Sequence, residues 1–522
     1  MIFSTIKNPE PALLPALSAA IEALEATGGK VVCSASALPT WGPGRLFMRD
    51  DGKHIGGEID KKFLTTEHPS WTKLGERMAA AGVGVDFFLA SPTGGYLDVA
   101  TIGKLPPRAS LRISSMKTNR LPGHVSSSTG GETFYYPNFI AGRDNAKLAA
   151  EITHAVTRET GYQALVKVRC STGLQVSNYH GSFMQHTFGA DLEIGVIDAD
   201  KGIGATFSYD GKLDSKLDAH FQSALLYTTA YGQRRVRCSN VIASVSENTR
   251  DCLKFVDQDA VYNILAREAV SKLASTSNNF RDTRNWLTER TIDILASHRK
   301  NFAAPGTPPG QLILPDRLKE FAMYMLGLIK SRAFKGGNET SDRRVHELRM
   351  LQIMGPLELS LYLYPRIIPI HNLEQGDGFV DPDTGELKIP PTLRASFAKV
   401  ETGGVYLVDN GQQVLIWFHA QTSPDLLADL FGADMRSLQS LDAYTSALPV
   451  LETHLNCQVR NILEFCKGQR GSKAASVQLA RQGIDGAEFE FARMLVEDRN
   501  NDAQSYVDWL VHVHRAVQLE VS

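Results

Sequence analysis

With 522 residues and a formal net charge of -2, the chain is too long for one compact domain and has no general charge excess. That balance excludes bulk nucleic-acid binding, so any basic surface has to be local. A hydrophobic share of 43% and a charged share of 21% are ordinary for globular protein, and roughly three or four domains are expected.

The first 150 or so residues read as alternating helices and strands. Residues 13–27 are Ala-rich with apolar residues at helical spacing, closed by Gly28-Gly29. A short buried strand is expected at 30–36, a helix at 71–81 and a wholly apolar strand at 83–90. A further strand at 134–136 and a helix at 144–157 complete a doubly wound α/β pattern. The pattern opens on a helix without earlier strands, so an N-terminal truncation is expected. Segment 104–123 (KLPPRASLRISSMKTNRLPG) is basic and aperiodic and reads as a disordered insertion.

Residues 157–245 change character. Short β-branched and aromatic runs alternate with Gly, Asp, Asn and Ser, the mark of an antiparallel sandwich. Within 164–170 the alternation is read as setting Leu165 apart from Lys167 and Arg169, with Val166 and Val168 on the other face. In the last strand Arg235 and Arg237 share one face, and Val236 and Cys238 the other. If the first and last strands are neighbours, Lys167, Arg169, Arg235 and Arg237 gather into a groove for acidic groups. Otherwise they line a solvated surface.

From 257 to 299 the period is helical, with Ala260, Ile264, Leu265 and Ala269 on one stripe and Trp286, Ile292 and Leu295 marking the next helix. Helices at 314–330 and 342–353 follow. Residues 398–409 and 413–418 form a hairpin around Asn410-Gly411, with Trp417 as a core residue. Helices at 424–430 and 459–466 make this a small α+β domain, and helices at 490–496 and 505–517 close the chain. The fold class is therefore multidomain: α/β, then a β-sandwich, then an all-α region, then a small α+β domain.

Catalytic signatures are absent. There is no G-x-G-x-x-G, no phosphate loop and no G-x-S-x-G. Asp198-x-Asp200-x-Gly202 and Asp381-x-Asp383-x-Gly385 look like pieces of calcium loops but lack the closing Glu, so turn chemistry explains them better. His454 and Cys457 have ligand spacing without a second pair. The six cysteines form no CxxC pair and several lie on apolar strand faces, as expected of buried, reduced thiols. No apolar run approaches the ~20 residues of a membrane span.

Several stretches carry a resemblance: SALPTWGPGRL (36–46), GVGVDFFLA (82–90), TGGETFYYPNF (129–139), VRCSTGLQV (168–176), ALLYTTAYGQRRVRC (224–238), GQLILP (310–315), YPRIIPI (364–370) and VYLVDNGQQVLIWF (405–418). In this order and over nearly the whole chain they resemble the cargo-adaptor subunit family of the COPII inner coat, nearest to its C/D paralogue class. The resemblance implies a partial von Willebrand A-type trunk (1–156), a β-sandwich (157–245), a helical domain (246–365), a gelsolin-like domain (366–488) and C-terminal helices returning to the helical domain (489–522). It implies no enzyme and no cofactor in this chain, the family's four-cysteine zinc finger belonging to a region that precedes it. The implied partners are the GTPase-activating inner-coat subunit, the small coat GTPase indirectly, the outer-coat cage, cytosolic tails of membrane cargo and SNAREs, and an acidic membrane surface, with no nucleic acid. Cytoplasmic placement at endoplasmic reticulum exit sites and on vesicles follows. The acidic-signal pocket carries over to Lys167 and Arg169, with an apolar wall at Leu226 and Tyr227 and with Arg235 nearby. The competing expectations are a gelsolin-like calcium- or actin-binding protein and a passive scaffold without a ligand groove.

Overall fold

The computed structural model describes residues 10–50, 63–64, 68–102, 129–185, 189–274, 279–303, 306, 308, 310–335, 339–469 and 477–521. Segment 104–123 lies outside the described residues. The chain divides into two compact units, one of residues 1–139, 158–287 and 332–355, the other of 140–157, 288–331 and 356–522.

In the first unit a parallel sheet runs in the order β1-β2-β3, with β1 at Gly29–Ala35, β2 at Val83–Ser91 and β3 at Thr133–Pro137. The central strand is buried almost throughout, as its unbroken apolar run requires. Strand β1 is not the buried strand expected: among the described strands it is an outer one of this sheet, and it leaves Val32 exposed. Helix Leu13–Leu24 buries Leu13, Leu17 and Ile21 at four-residue intervals, and helix Pro69–Ala80 buries Trp71, Leu74 and Met78. All six join one core with Val83, Val85 and Phe87.

Six antiparallel strands follow: β4 (Thr160–Cys170), β5 (Leu174–His180), β6 (Leu192–Asp198), β7 (Gly204–Tyr209), β8 (Asp218–Thr229) and β9 (Arg234–Ser244). They form a four-stranded sheet in the order β6-β4-β8-β9 and a two-stranded sheet β5-β7. The Gly-Gly pair before β3 has a steric cause. A Cβ on Gly130 would lie 2.1 Å from the Val196 carbonyl oxygen, and one on Gly131 would lie 1.9 Å from that of Val85. Only glycine lets the chain enter β3 so close to β2 and β6.

Buried arginines tie helices of this unit to its strands. Arg267, on helix Gln258–Ala274, donates to the carbonyls of His180 (3.1 Å), Gly202 (3.0 Å) and Met354 (2.9 Å). Arg349, on helix Ser341–Ile353, donates to the Gly131 carbonyl (2.7 Å) and the Thr133 hydroxyl. In the expected stripe on Gln258–Ala274, Leu265 and Ala269 are buried, Ile264 is half-buried and Ala260 is exposed.

The second unit is built on the sheet β10-β11-β12-β13: Arg366–Pro369, Val405–Asp409, Val414–Phe418 and Val477–Arg481. The hairpin β11-β12 closes at Asn410-Gly411, where the Asn410 side-chain oxygen accepts from the amides of Gln412 (3.0 Å) and Gln413 (2.8 Å). Strand β13 pairs in parallel with β12 and was not expected from the sequence. Helices Pro424–Phe431 and His454–Gly468 pack on one sheet face with Leu427, Leu430, Val459 and Ile462. Helix Glu488–Met494 covers the other, where Trp417, 1% exposed, stacks on Phe491 at 4.6 Å between ring centres. Helix Phe321–Lys330 packs against helix Tyr506–Val521. At its end the buried Lys330 ammonium donates to the carbonyls of Val496 (2.7 Å) and Asp498 (2.5 Å).

Candidate functional site

The register of the four-stranded sheet decides which predicted residues meet. Leu165 lies opposite Leu226, Lys167 opposite Ala224, and Arg169 opposite Gln222. Opposed residues project to the same side. One face therefore carries Leu165, Lys167, Arg169, Leu226 and Gln222. The reverse of β4 presents Ala164 and Val166 to the sandwich core. Leu165 thus stands beside the basic pair, not apart from it. The period of two runs unbroken from Leu165 to Cys170, because the irregularity in the pairing falls earlier, between Tyr162 and Leu165.

Tyr227 and Arg235 are on the opposite side. Tyr227 packs against the core cluster of the sandwich and lies opposite Arg235 in the β8-β9 pairing, while Leu225 lies opposite Arg237. The four basic residues therefore do not gather on one face. Strand β8 separates β4 from β9, and the register turns Arg235 and Arg237 away from Lys167 and Arg169. On the Lys167 side β9 contributes Val236 and Cys238 instead, opposite Leu226 and Ala224.

The two basic groups of the face are not equivalent. Lys167 is ion-paired with Asp191 at 2.7 Å, both side chains about two-fifths exposed (41% and 42%). Arg169 donates to the side-chain oxygen of Gln222 at 3.3 Å, and Gln222 donates in turn to Asn240 at 3.0 Å. Among the described residues no carboxylate stands within ion-pairing distance of Arg169. Its guanidinium thus retains free donors in the planar fork that suits a carboxylate. Leu165 and Leu226 supply an apolar flank. Sequence reasoning missed Leu165 and Gln222; correct strand parity would have found the first.

The acidic pairs that look like calcium loops have other roles. The amide of Asp200 donates to the Asp198 carboxylate at 3.1 Å, a turn in itself. Both carboxylates also hold the buried Arg158 guanidinium, at 3.0 Å from Asp198 and 2.9 Å from Asp200. Glu132 (2.7 Å) and Asp86 (3.4 Å) complete the set, and Lys30 pairs with Asp86 at 2.5 Å. Burial opposes the charge on Arg158, but these carboxylates outweigh it and hold its pKa above the usual value. Asp381 accepts from the amides of Asp383 (2.8 Å) and Thr384 (3.3 Å), again as a turn. His454 meets the Gln375 carbonyl at 3.0 Å, and the Cys457 thiol donates to that of Leu451 at 3.5 Å.

The cysteines are only partly as expected. Cys466 is buried, and burial pushes the Cys33 thiol up to about 11. Cys238 and Cys252 are exposed; Cys238 lies on β9, all of whose residues are exposed. No described helix is long and apolar enough to cross a membrane.

Three consecutive family models match: the Sec23/Sec24 trunk domain at residues 1–111, the Sec23/Sec24 beta-sandwich domain at 161–246 and the Sec23/Sec24 helical domain at 257–361. A gelsolin repeat matches at 386–462, around the β11-β12 hairpin. The chain is 30% identical to the human protein transport protein Sec24C over 99% of its own length and 44% of that protein. It is likewise 30% identical to SEC24 B of Arabidopsis thaliana, so identity does not rank the C/D class first. It is 29% identical to SED5-binding protein 3 of Saccharomyces cerevisiae over 94% of this chain and 51% of that one. The chain thus spans about half the length of these relatives. The crystal structure of the human COPII-coat protein Sec24c superposes with a TM-score of 0.86 at 28% identity, covering 100% of this chain and 65% of that one. Trunk, sandwich, helical and gelsolin-like parts follow one another in the same order by fold and by sequence, and the chain belongs to the Sec23/Sec24 family.

Proposed function

We propose that the chain is a non-enzymatic, cargo-selecting adaptor of a COPII-type coat. It binds sorting signals in the cytosolic tails of membrane cargo leaving the endoplasmic reticulum for the Golgi. The carrying observation is the β4-β8 face, where Arg169 offers unpaired donors beside the apolar Leu165 and Leu226. The chemistry of that face suits a peptide with an acidic group next to a hydrophobic side chain. Names of relatives support the reading, since they denote protein transport and, in yeast, SED5 binding. Within this reading Lys167 steers acidic tails and Arg169 anchors them, Leu226 walls the pocket, and Tyr227 and Arg235 lie outside it. Its coat partners are the GTPase-activating inner-coat subunit, the small GTPase through that subunit, and the outer cage. Its site of action is the membrane surface of exit sites and vesicles.

The test is calorimetric titration, at low salt, with a tail peptide bearing an acidic signal. Arg169→Ala is expected to weaken binding more than tenfold, or by more than about 1.4 kcal/mol. Tyr227→Ala is expected to lower stability, because that half-buried ring packs against the sandwich core. Unchanged affinity of a folded Arg169→Ala protein would refute the assignment.

A further inference from the structure

The sequence contains a single Asn-Gly pair, Asn410-Gly411, and the β11-β12 hairpin turns on it. Asparagine is a thermolabile residue, most of all before glycine, where no side chain screens the next backbone nitrogen. In the reaction that nitrogen loses its proton and attacks the side-chain carbonyl carbon of the asparagine. A new N–C bond forms, the bond to the side-chain nitrogen breaks, and that nitrogen leaves as ammonia with the proton. Water then opens the five-membered succinimide to aspartate or isoaspartate.

The fold obstructs both reacting groups. On the nucleophile, the Gly411 amide donates to Asp409 Oδ1 at 2.8 Å, and Asp409 is 0% exposed. Loss of that proton would set a second negative charge against a buried carboxylate, where repulsion is strong. A carboxylate accepts the hydrogen bond but is too weak a base to take an amide proton. On the electrophile, the Asn410 side-chain oxygen accepts from the amides of Gln412 (3.0 Å) and Gln413 (2.8 Å), which ties the carboxamide to the later limb of the turn. The turn is itself braced. Gln412 Nε2 donates to Glu358 Oε1 at 2.8 Å, on helix Pro356–Leu363, and Gln413 Nε2 to Gln478 Oε1 at 2.6 Å, on β13. Gly411 is buried, and a Cβ there would lie 3.4 Å from Leu361 Cδ2 of the same helix.

We infer that Asn410 is a latent deamidation site, locked in the closed hairpin by the Asp409-Gly411 bond and released when the turn leaves helix Pro356–Leu363. Reaction then makes the opening permanent. Either product adds a carboxylate beside the buried Asp409. Isoaspartate also inserts a methylene into the main chain, at the turn that sets the β11-β12 register. The hairpin is thus a one-way recorder of local opening in the second unit. The inference does not depend on the adaptor reading, since it involves no residue of the sandwich.

The test follows Asn410 in the purified full chain by peptide mass spectrometry, in mildly alkaline buffer, as a gain of about one mass unit. The reference is the same chain unfolded in urea. The native rate is expected to be at least tenfold below the unfolded rate, since a hydrogen bond to a charged group is worth more than that factor. Urea below the global transition should raise the native rate, with a weaker denaturant dependence than global unfolding, because the turn opens locally. In a folded Asp409→Ala chain the rate should rise at least tenfold beyond what its larger unfolded fraction supplies. In the urea-unfolded chain the same substitution should change the rate by less than about twofold. A native rate within about twofold of the unfolded one, or a denaturant dependence equal to that of global unfolding, would overturn the inference. So would an Asp409→Ala acceleration fully matched by its unfolded fraction. The first two outcomes are read on the unaltered protein, so a misfolded variant cannot decide the result.

Discussion

Arg158 shows how much one buried side chain can organise. Its guanidinium, 2% exposed, touches four carboxylates from separate parts of the first unit: Asp86, Glu132, Asp198 and Asp200. Arg158→Met removes the shared cation and leaves those carboxylates buried without it. A loss of about 3–5 kcal/mol in denaturant titration is expected, the range for breaking a buried pair from one side. Trp417 makes the complementary apolar case. It is enclosed by Tyr406 and Phe491, and Trp417→Ala should cost about 3–5 kcal/mol. A loss below about 1 kcal/mol would make it a surface residue. Burial of Trp417 was legible from the unbroken apolar run VLIWF, all five residues of which are buried. The role of Arg158 was not, because its four partners are between 26 and 72 residues away in sequence.

At the scale of elements, strands and helices that carry a clear period were recognisable, and their ends less so. Helix His454–Gly468 starts five residues before its expected start at 459. Strand β13 was missed because its five residues pair in parallel with a strand some sixty residues earlier, and no turn signal marks that partner. The Gly130-Gly131 pair is an element-scale constraint. In Gly131→Ala the new methyl meets the Val85 carbonyl carbon as well as its oxygen. Because both atoms are backbone, β3 must move away from β2. The expected outcome is a loss of about 1–3 kcal/mol or more, read as a lower thermal midpoint. An unchanged midpoint would show that the strands tolerate the shift.

At the scale of the whole molecule, two buried groups of the first unit give stability an opposed pH dependence. Burial, and then the charge of Arg267, lower His180 to about 4 from its ordinary 6.5. Between those values the unfolded chain holds the extra proton, so this group's contribution is present above pH 6.5 and lost on acidification. Burial raises Asp342 to about 7 despite the amides of Leu97 and Val99 at 2.6 and 2.7 Å. From about 4 to about 7 the folded chain holds that proton, so its contribution is present at low pH and fades as pH rises. The two offset each other where the windows overlap, each with a slope of at most about 1.4 kcal/mol per pH unit. His180→Gln should therefore flatten or reverse the loss of stability below pH 6, and Asp342→Asn should steepen it. Parallel stability profiles for the two variants between pH 4 and 7 would count against both assignments.

The sequence by itself determined the class of each part of the chain: the periods of 2 and 3.6, the turn residues and the ordered motifs are local properties that survive without any partner strand. It also specified that Lys167 and Arg169 share a side of their strand, since parity is a property of the backbone. Which other residues join them was decided only by the tertiary structure. A strand's neighbours and register come from long-range pairing, and one residue of slip exchanges the two faces. The insertion of β8 between β4 and β9 therefore brought Leu226 to the basic pair, turned Tyr227 against the core and carried Arg235 to the far side. The same kind of long-range choice turned the Asp198 and Asp200 carboxylates toward Arg158. The local spacing of acids cannot say which cation they will meet.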